Sequence, residues 1–401
     1  MSATRSPLQR RVAWAALLYF ASGLPFGIVQ YLVPVYYRQR GLDLPAIGLL
    51  NAVGLAWVLK FLWAPLIDRF GPRRFWMAGA LAGMGMIIAI IGARPEFTLL
   101  SVFVLLAAFA MLSATYDVAA DAYAVESFEE RELGPVNGTR VMAYRVALII
   151  SGGILIGLAG QIGWTIALAL IGLILILLAA AALGAPSTPR AAREHAPLWS
   201  PLTALLRVPG IWAVLLFAVT FKLGDYAMAP MVQPFWVDRG FSLAEIGYAF
   251  GTLGVAATVA GALAGGLITA RIGTFRALWS LGALQALSNL GYWWAARPGT
   301  PREAVYGAAI TEQFTAGLAS AAFLTFLMSI CEPGRAATQF ALLSALFGLG
   351  RVVAGTQSGI WAERLGYERY FLVTFLIALP AYALLPLIAR VRREKVALVS
   401  E

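Results

Sequence analysis

The sequence is short of most of what chemistry in water needs. Charged residues make up only 12% of its 401 residues, against about a quarter in soluble globular chains. It has one cysteine, Cys331, and one histidine, His195. A single thiol excludes an intramolecular disulfide, and a single imidazole leaves a metal cluster almost no ligands. No GxxxxGK[ST] stretch occurs, which removes a Walker-type nucleotide site and with it a primary pump. No metal, no cofactor and no enzymatic activity is expected, because an intramembrane enzyme would want a metal cluster or a His- or Ser-based site. Acidic residues are also scarce, 20 against 30 basic ones, for a net charge of +10. A basic balance can mark a nucleic-acid binder. Here the basic residues sit in short loops between apolar runs, so nucleic acid is not an expected partner. The loops are too short for a receptor or scaffold that collects other proteins.

What is abundant is apolar surface. Hydrophobic residues make up 60% of the chain, and the mean hydropathy is +0.78. The apolar runs are about 20 residues long, the length a helix needs to cross a bilayer. Backbone polar groups in lipid must be satisfied internally, which leaves helices or closed barrels. The runs do not alternate, so helices are expected. Twelve spans are expected, at about 12–37, 44–67, 75–93, 97–120, 138–160 and 163–184, then about 210–236, 243–269, 275–296, 303–330, 335–360 and 369–389. The first run is too long for the apolar segment of a cleavable signal peptide. The fold class expected is all-α integral membrane, with twelve transmembrane helices in two pseudo-symmetric six-helix bundles. The expected domains are 1–184 and 209–401, joined by a polar linker at 185–208. More than twice as many Lys and Arg fall on the face of the N-terminus as on the other, so both termini and the linker are expected in the cytoplasm.

Two features suggest a duplicated chain. Arg40, Gly41, Leu44, Ile47 and Gly48 recur 199 residues on as Arg239, Gly240, Leu243, Ile246 and Gly247. DRFGPRR, Asp68–Arg74, has a weaker echo in ARIGTFR, Ala270–Arg276. A parallel repeat around a polar middle is the layout of a transporter with its site between two bundles. Glycine is plentiful, 40 residues, against an average near 7%. GxxxG pairs at Gly153/Gly157, Gly261/Gly265 and Gly355/Gly359 would let helix backbones approach closely.

Charge inside a bilayer is costly, so ionisable residues within spans are candidates for function. The acidic ones are Asp117, Asp121, Asp225 and Glu312, and the basic ones Lys60, Arg145, Lys222 and Arg351. Asp117 and Asp121 are four apart and share a helical face. They need a cation or a proton between them, and Arg145 is the expected cation of a gating ion pair. A static structural pair is the alternative. Lys222 and Asp225, three apart, can neutralise each other or face the solute. Glu312 has no local partner, and a lone carboxyl in lipid is suited to carry a proton. Glu312, Asp121, Asp225 and Asp117 are therefore the proton-coupling candidates. Lys222, Arg351, Gln30, Tyr31, Asn51, Gln233 and Asn289 are the substrate candidates, with Arg351 suited to an anionic group. Lys60 is expected to reach the interface along its stem. Trp57, Trp63, Trp293 and Trp294 are expected in the aromatic belts.

The loop Asp68–Arg74 resembles that of the major facilitator superfamily, with Asp68, Arg69, Gly71, Arg73 and Arg74 in place and Ala64 where the family has Gly. The resemblance implies that Asp68, Arg69 and Arg73 brace the cytoplasmic side. YFASGLPFG (19–27), KFLWAPLIDRFG (60–71), YDVAADAYAVE (116–126), AYRVALIISGG (143–153), PFWVDRGFSLAEIG (234–247) and ATQFALLSAL (337–346) look like the AmpG-type permeases of that superfamily. That resemblance implies proton-driven uptake of anhydro-muropeptides across the bacterial inner membrane by alternating access. Its alternative is a siderophore or other organic anion. The partners expected are a small-molecule solute, a proton and the lipid bilayer, with the chain a monomer.

Overall fold

The computed structural model describes residues 7–94, 96, 98–127, 133–186, 211–330 and 336–389. The 185–208 linker beyond its first two residues, His195 and Cys331 lie outside them. Every regular element among the described residues is helical. Among the described residues, ten runs are long and apolar enough to cross a membrane: Arg11–Gln39, Leu44–Leu62, Arg73–Ala93, Leu99–Ala124, Thr139–Ile162, Trp164–Leu183, Ile211–Asp238, Leu243–Ile272, Arg302–Ile330 and Leu346–Ala389. The chain is an integral membrane protein.

Two further observations reconcile those ten with twelve spans. The helix Thr274–Ala295 has 22 residues, enough to cross, but Arg276, Gln285, Ser288 and Asn289 dilute its apolar character. The helix Ala336–Ala378 has 43 residues, about 65 Å at 1.5 Å per residue, twice the ~30 Å of a bilayer core. It is broken at Gly366, whose φ of 73° and ψ of 157° match those of Gly163 and Gly273. Those two glycines form the single-residue turns between consecutive spans five and six and spans eight and nine. Only glycine adopts this positive-φ backbone without strain. Gly366 is the same turn between spans eleven and twelve. Observed spans keep the expected ends to within a few residues, except that the span-four helix runs on to Ser127.

The repeat is a stop-and-start signal written twice. Gly41 and Gly240 close the spans before them at positive φ. Two residues later Asp43 caps the next helix, its Oδ1 accepting from Ala46 N at 3.0 Å. At the equivalent position Ser242 accepts from Glu245 N at 3.2 Å while the Glu245 carboxylate accepts from Ser242 N at 2.8 Å, a complete capping box.

Helix pairing repeats as well. Spans one and five meet where Gly23 faces Tyr144, and spans seven and eleven where Gly350 faces Val219. Spans three and six touch through Gly85 and Gly172, each of which would drive an added Cβ to within 2.9 Å of the other's carbonyl. Spans nine and twelve meet at Trp279 and Tyr382. Spans two and four are joined by Trp63 Nε1 donating to Thr115 Oγ1 at 3.0 Å, and spans eight and ten pack Gly261 and Gly265 onto Phe314 and Leu318.

The described chain divides into two compact units. The first holds 1–41, 53–193 and 236–252, and the second 42–52, 194–235 and 253–401. The first turns of spans two and eight thus belong with the other half's helices. In the second unit Gly359 sits on Leu44 and Gly355 on Asn51; in the first, Gly251 and Gly247 sit on Gly153. The GxxxG pairs Gly153/Gly157 and Gly355/Gly359 lie on these close approaches, and Gly261/Gly265 on the contact of spans eight and ten, as backbone packing of small residues requires. Around Gly153 three π-helical turns gather: Ile28–Leu32, Ile150–Ile154 and Tyr248–Gly254. Gly152 lies under the Tyr31 ring.

Candidate functional site

The second unit buries a polar cluster between spans seven, nine and ten. Span seven is interrupted there: one helix ends at Thr220 and the next begins at Leu223. Lys222 lies in the break and is only 4% exposed. Its Nζ stands 3.3 Å from Asp225 Oδ2 and donates to Gln285 Oε1 and, at 3.4 Å, to the Ala316 carbonyl. Gln285 closes the ring by donating from Nε2 to Asp225 Oδ2. Glu312, buried on span ten, lies within electrostatic reach of both Asp225 and Lys222. Thr315 Oγ1 donates to Ser288 Oγ at 2.9 Å and so stitches spans nine and ten beside it. Asn289 is fully buried next to Asp225. Helical spacing explains the assembly: Gln285, Ser288 and Asn289 share one face of span nine, and Glu312, Thr315 and Ala316 one face of span ten.

A second cluster lies in the first unit. Ser22 Oγ donates to Asp117 Oδ1 at 2.5 Å, and Tyr19 Oη donates to Asp121 Oδ1. Arg140 Nη2 reaches the same Asp121 oxygen at 3.0 Å, and its guanidinium covers the Tyr19 ring, 3.9 Å from the centroid. Lys60 Nζ is 4.0 Å from Asp121 Oδ2 and acts on Asp117 as well. Two carboxylates are thus faced by two cations. The expected cation, Arg145, is not one of them: among the described residues it makes no ion pair with Asp117 or Asp121. The reason is rotational phase. Arg145 is five residues past Arg140, which turns it about 140° around the helix, away from the face that meets Tyr19. Lys60 likewise turns inward to the carboxylates, where the sequence suggested an interfacial role. Trp57 packs edge-on to Phe26 and acts on Asp117, and Trp63 bonds to Thr115, so these two serve the interior of the unit.

The sequence matches the family model of the Major Facilitator Superfamily over residues 15–355. The chain belongs to the Major Facilitator Superfamily. Among its relatives, the anhydromuropeptide permease of Escherichia coli K12 is 34% identical over 94% of this chain and 79% of its own. The putative transporter AmpG 4 of Rickettsia felis is 27% identical over 92% of this chain and 94% of its own. The fold matches the crystal structure of a bacterial homolog of the human lysosomal transporter Spinster, inward-facing and unoccupied, with a TM-score of 0.81 at 16% identity. That match covers 97% of this chain and 98% of the other. This protein is a membrane transporter with the fold of the superfamily.

The superfamily loop after span two is a compact turn. Gly71 takes a φ of 69°, and Arg73 turns back to donate to the Ile67 carbonyl at 2.6 Å. That bond satisfies an orphan carbonyl at the end of the helix Ala64–Arg69, where a cation is favoured. Arg74 lies over the Phe75 ring at 5.2 Å. The side chains of Asp68 and Arg69 lie outside the described ones.

The other candidates are dispersed. Gln30 and Tyr31 sit in the π-turn of span one. Asn51 donates to the Ile47 and Gly48 carbonyls of its own helix, both at 3.3 Å. Gln233 is buried on span seven, with no partner for its Nε2 among the described residues. Arg351 acts on Tyr226. Sequence reasoning did not single out Tyr19, Ser22, Arg140 or Gln285 as site residues. The pair Tyr19/Ser22, three apart on span one, matches the four-residue spacing of Asp117 and Asp121 on an antiparallel neighbour. That spacing was the available signal.

Proposed function

We propose that this transporter carries anhydromuropeptides, or a closely similar sizeable polar solute, by proton-coupled symport. The substrate class comes from the relationship to the Escherichia coli permease. The observation behind proton coupling is the buried set of one cation, Lys222, with two carboxyls, Asp225 and Glu312. Buried charge must be paired or neutralised, and this set is neutral when one carboxyl holds a proton. Glu312, on a helix of its own opposite the Lys222–Asp225 pair, is the first choice for the exchangeable proton. Asp121 and Asp117 in the first unit are balanced by Lys60 and Arg140, which favours a gating role.

In this reading the bundles 1–184 and 209–401 rock about a central solute path and expose it alternately to each side. The membrane is the bacterial inner membrane, both termini face the cytoplasm, and the monomer is the working unit. The Gly153–Gly251 and Gly359–Leu44 approaches are the smooth seams along which helices can slide.

Uptake of radiolabelled anhydro-muropeptide into energised right-side-out vesicles tests this, with and without a protonophore. Uptake abolished by the protonophore is the expected result. Uptake indifferent to it would refute proton coupling, and no uptake by inserted, folded protein would pass the substrate assignment to a siderophore or other organic anion. Glu312→Gln should abolish accumulation against a gradient; accumulation at wild-type level would remove Glu312 from the coupling role.

A further inference from the structure

We propose that Phe26, Trp57, Tyr144 and Lys60 form a solute seat in the first unit, where the sugar of the cargo lies against the three rings and a carboxylate of the cargo takes the Lys60 ammonium. The inference rests on the substrate class proposed above and gives that class its residues.

The rings form a layer next to the charged cluster of Asp117 and Asp121. Phe26 is one helical turn past Ser22 on span one, Tyr144 one turn past Arg140 on span five, and Trp57 precedes Lys60 by three residues on span two. At these spacings each ring shares a helix face with its polar partner. Spans one and five run the same way and span two the other way, so all three rings lie on the same side of those partners. They meet there: Phe26 is edge-on to Trp57, with centroids 5.7 Å apart, and tilted to Tyr144 at 6.1 Å. Phe26 falls near the middle of the run Arg11–Gln39, the depth at which transporters hold their solutes.

Three observations point to a ligand there. First, Lys60 is under-used. Its Nζ stands 4.0 Å from Asp121 Oδ2, beyond hydrogen-bond reach, and among the described residues its N–H groups have no acceptor. Second, the place is wet. The side chain of Asp121 is 51% exposed and that of Lys60 36%, and in a membrane span an open charge faces water, because lipid does not solvate it. The Lys222–Asp225 pair is dry by comparison. A hydrated ammonium can exchange water for a carboxylate of the cargo. Asp121 is not stranded by that exchange, because Arg140 Nη2 holds it at 3.0 Å. Third, Phe26, Trp57 and Tyr144 are only half-buried. In an edge-on pair the ring that presents its rim keeps both faces uncovered by its partner. A sugar brings a face of C–H groups to such a surface and a rim of hydroxyls to the polar groups beside it, the mixture of apolar wall and few polar anchors that solute sites use.

Equilibrium dialysis on the full chain in nanodiscs, at one pH and without a gradient, tests the seat apart from proton coupling. The probes are radiolabelled anhydro-muropeptide, the same molecule with its carboxyl groups amidated, and the peptide without its sugar. Wild type should bind the free-carboxyl form about tenfold more tightly than the amidated one. Lys60→Met should bring that ratio close to one, and Lys60→Arg, which keeps the charge, should retain most of it. Wild type should also prefer the sugar-bearing molecule to the bare peptide. Phe26→Leu should cut that preference about fivefold, and Phe26→Tyr should retain it. Each reading is a ratio within one variant, so a smaller folded fraction does not imitate the result. A wild-type ratio in either Lys60→Met or Phe26→Leu would overturn the seat and leave the substrate class standing. A wild type that binds none of the three probes would overturn the substrate class, and the seat with it.

Discussion

Removing Lys222 is the most informative single perturbation. Its side chain is 5% exposed and that of Asp225 14%, so neither charge can turn to water. Replacing Lys222 by Met leaves the Asp225 carboxylate with the Gln285 amide and, nearby, another carboxyl on Glu312. Breaking a buried pair from one side costs about 3–5 kcal/mol, and the missing cation places Lys222→Met at the upper end. Asp225→Asn should cost less, because the ammonium keeps Gln285 Oε1 and the Ala316 carbonyl and has Glu312 within reach. In the double variant Lys222→Met/Asp225→Asn no uncompensated pair remains. It should be more stable than Lys222→Met, with a coupling energy of about 1–3 kcal/mol. The assay is equilibrium unfolding of purified protein in one detergent, followed by helix content, with all four members of the cycle side by side. A double variant that loses the sum of the two single losses would show that the charges do not depend on each other, and the cluster would not be the unit described above.

Other expectations follow from the same geometry. Arg140→Gln should reduce uptake at least tenfold by freeing Asp121 and Tyr19, while Arg145→Gln should leave at least half of it; equal effects in the vesicle assay would refute the assignment of Arg140. Gly251→Ala, which places a methyl on the Gly153 backbone, should halt transport and lower the thermal midpoint, whereas Gly79→Ala, with open space around it, should leave both unchanged. Gly366→Ala meets no atom within 4 Å, so its cost is backbone strain alone, about 1–3 kcal/mol for a side chain held in this glycine-only region, readable as a fall in the unfolding midpoint.

Much of the fold was legible because lipid imposes few solutions. A run of about 20 apolar residues must become a helix, and Gly41 with Asp43, repeated as Gly240 with Ser242, announced where one helix stops and another starts. A polar residue of span nine was legible for the opposite reason. Asn289, an amide that is costly to face towards lipid, was on that ground a candidate already. The same reasoning picked out Lys222, Asp225 and Glu312 one by one.

Which of these groups meet was decided only by tertiary structure. Span rotation and neighbours are set by packing between helices, through contacts such as Gly85 on Gly172 and Gly23 on Tyr144, and a sequence does not state the phase at which two helices dock. A shift of one residue turns a side chain about 100°, enough to exchange a carboxylate for lipid. That is why Arg140 and not Arg145 holds Asp121, why Lys60 turns inward, and why Gln285 stands between Lys222 and Asp225. The sequence by itself determined that the chain crosses a membrane, is built twice over and keeps a few costly charges inside. The docking of its helices determined which of those charges answer one another.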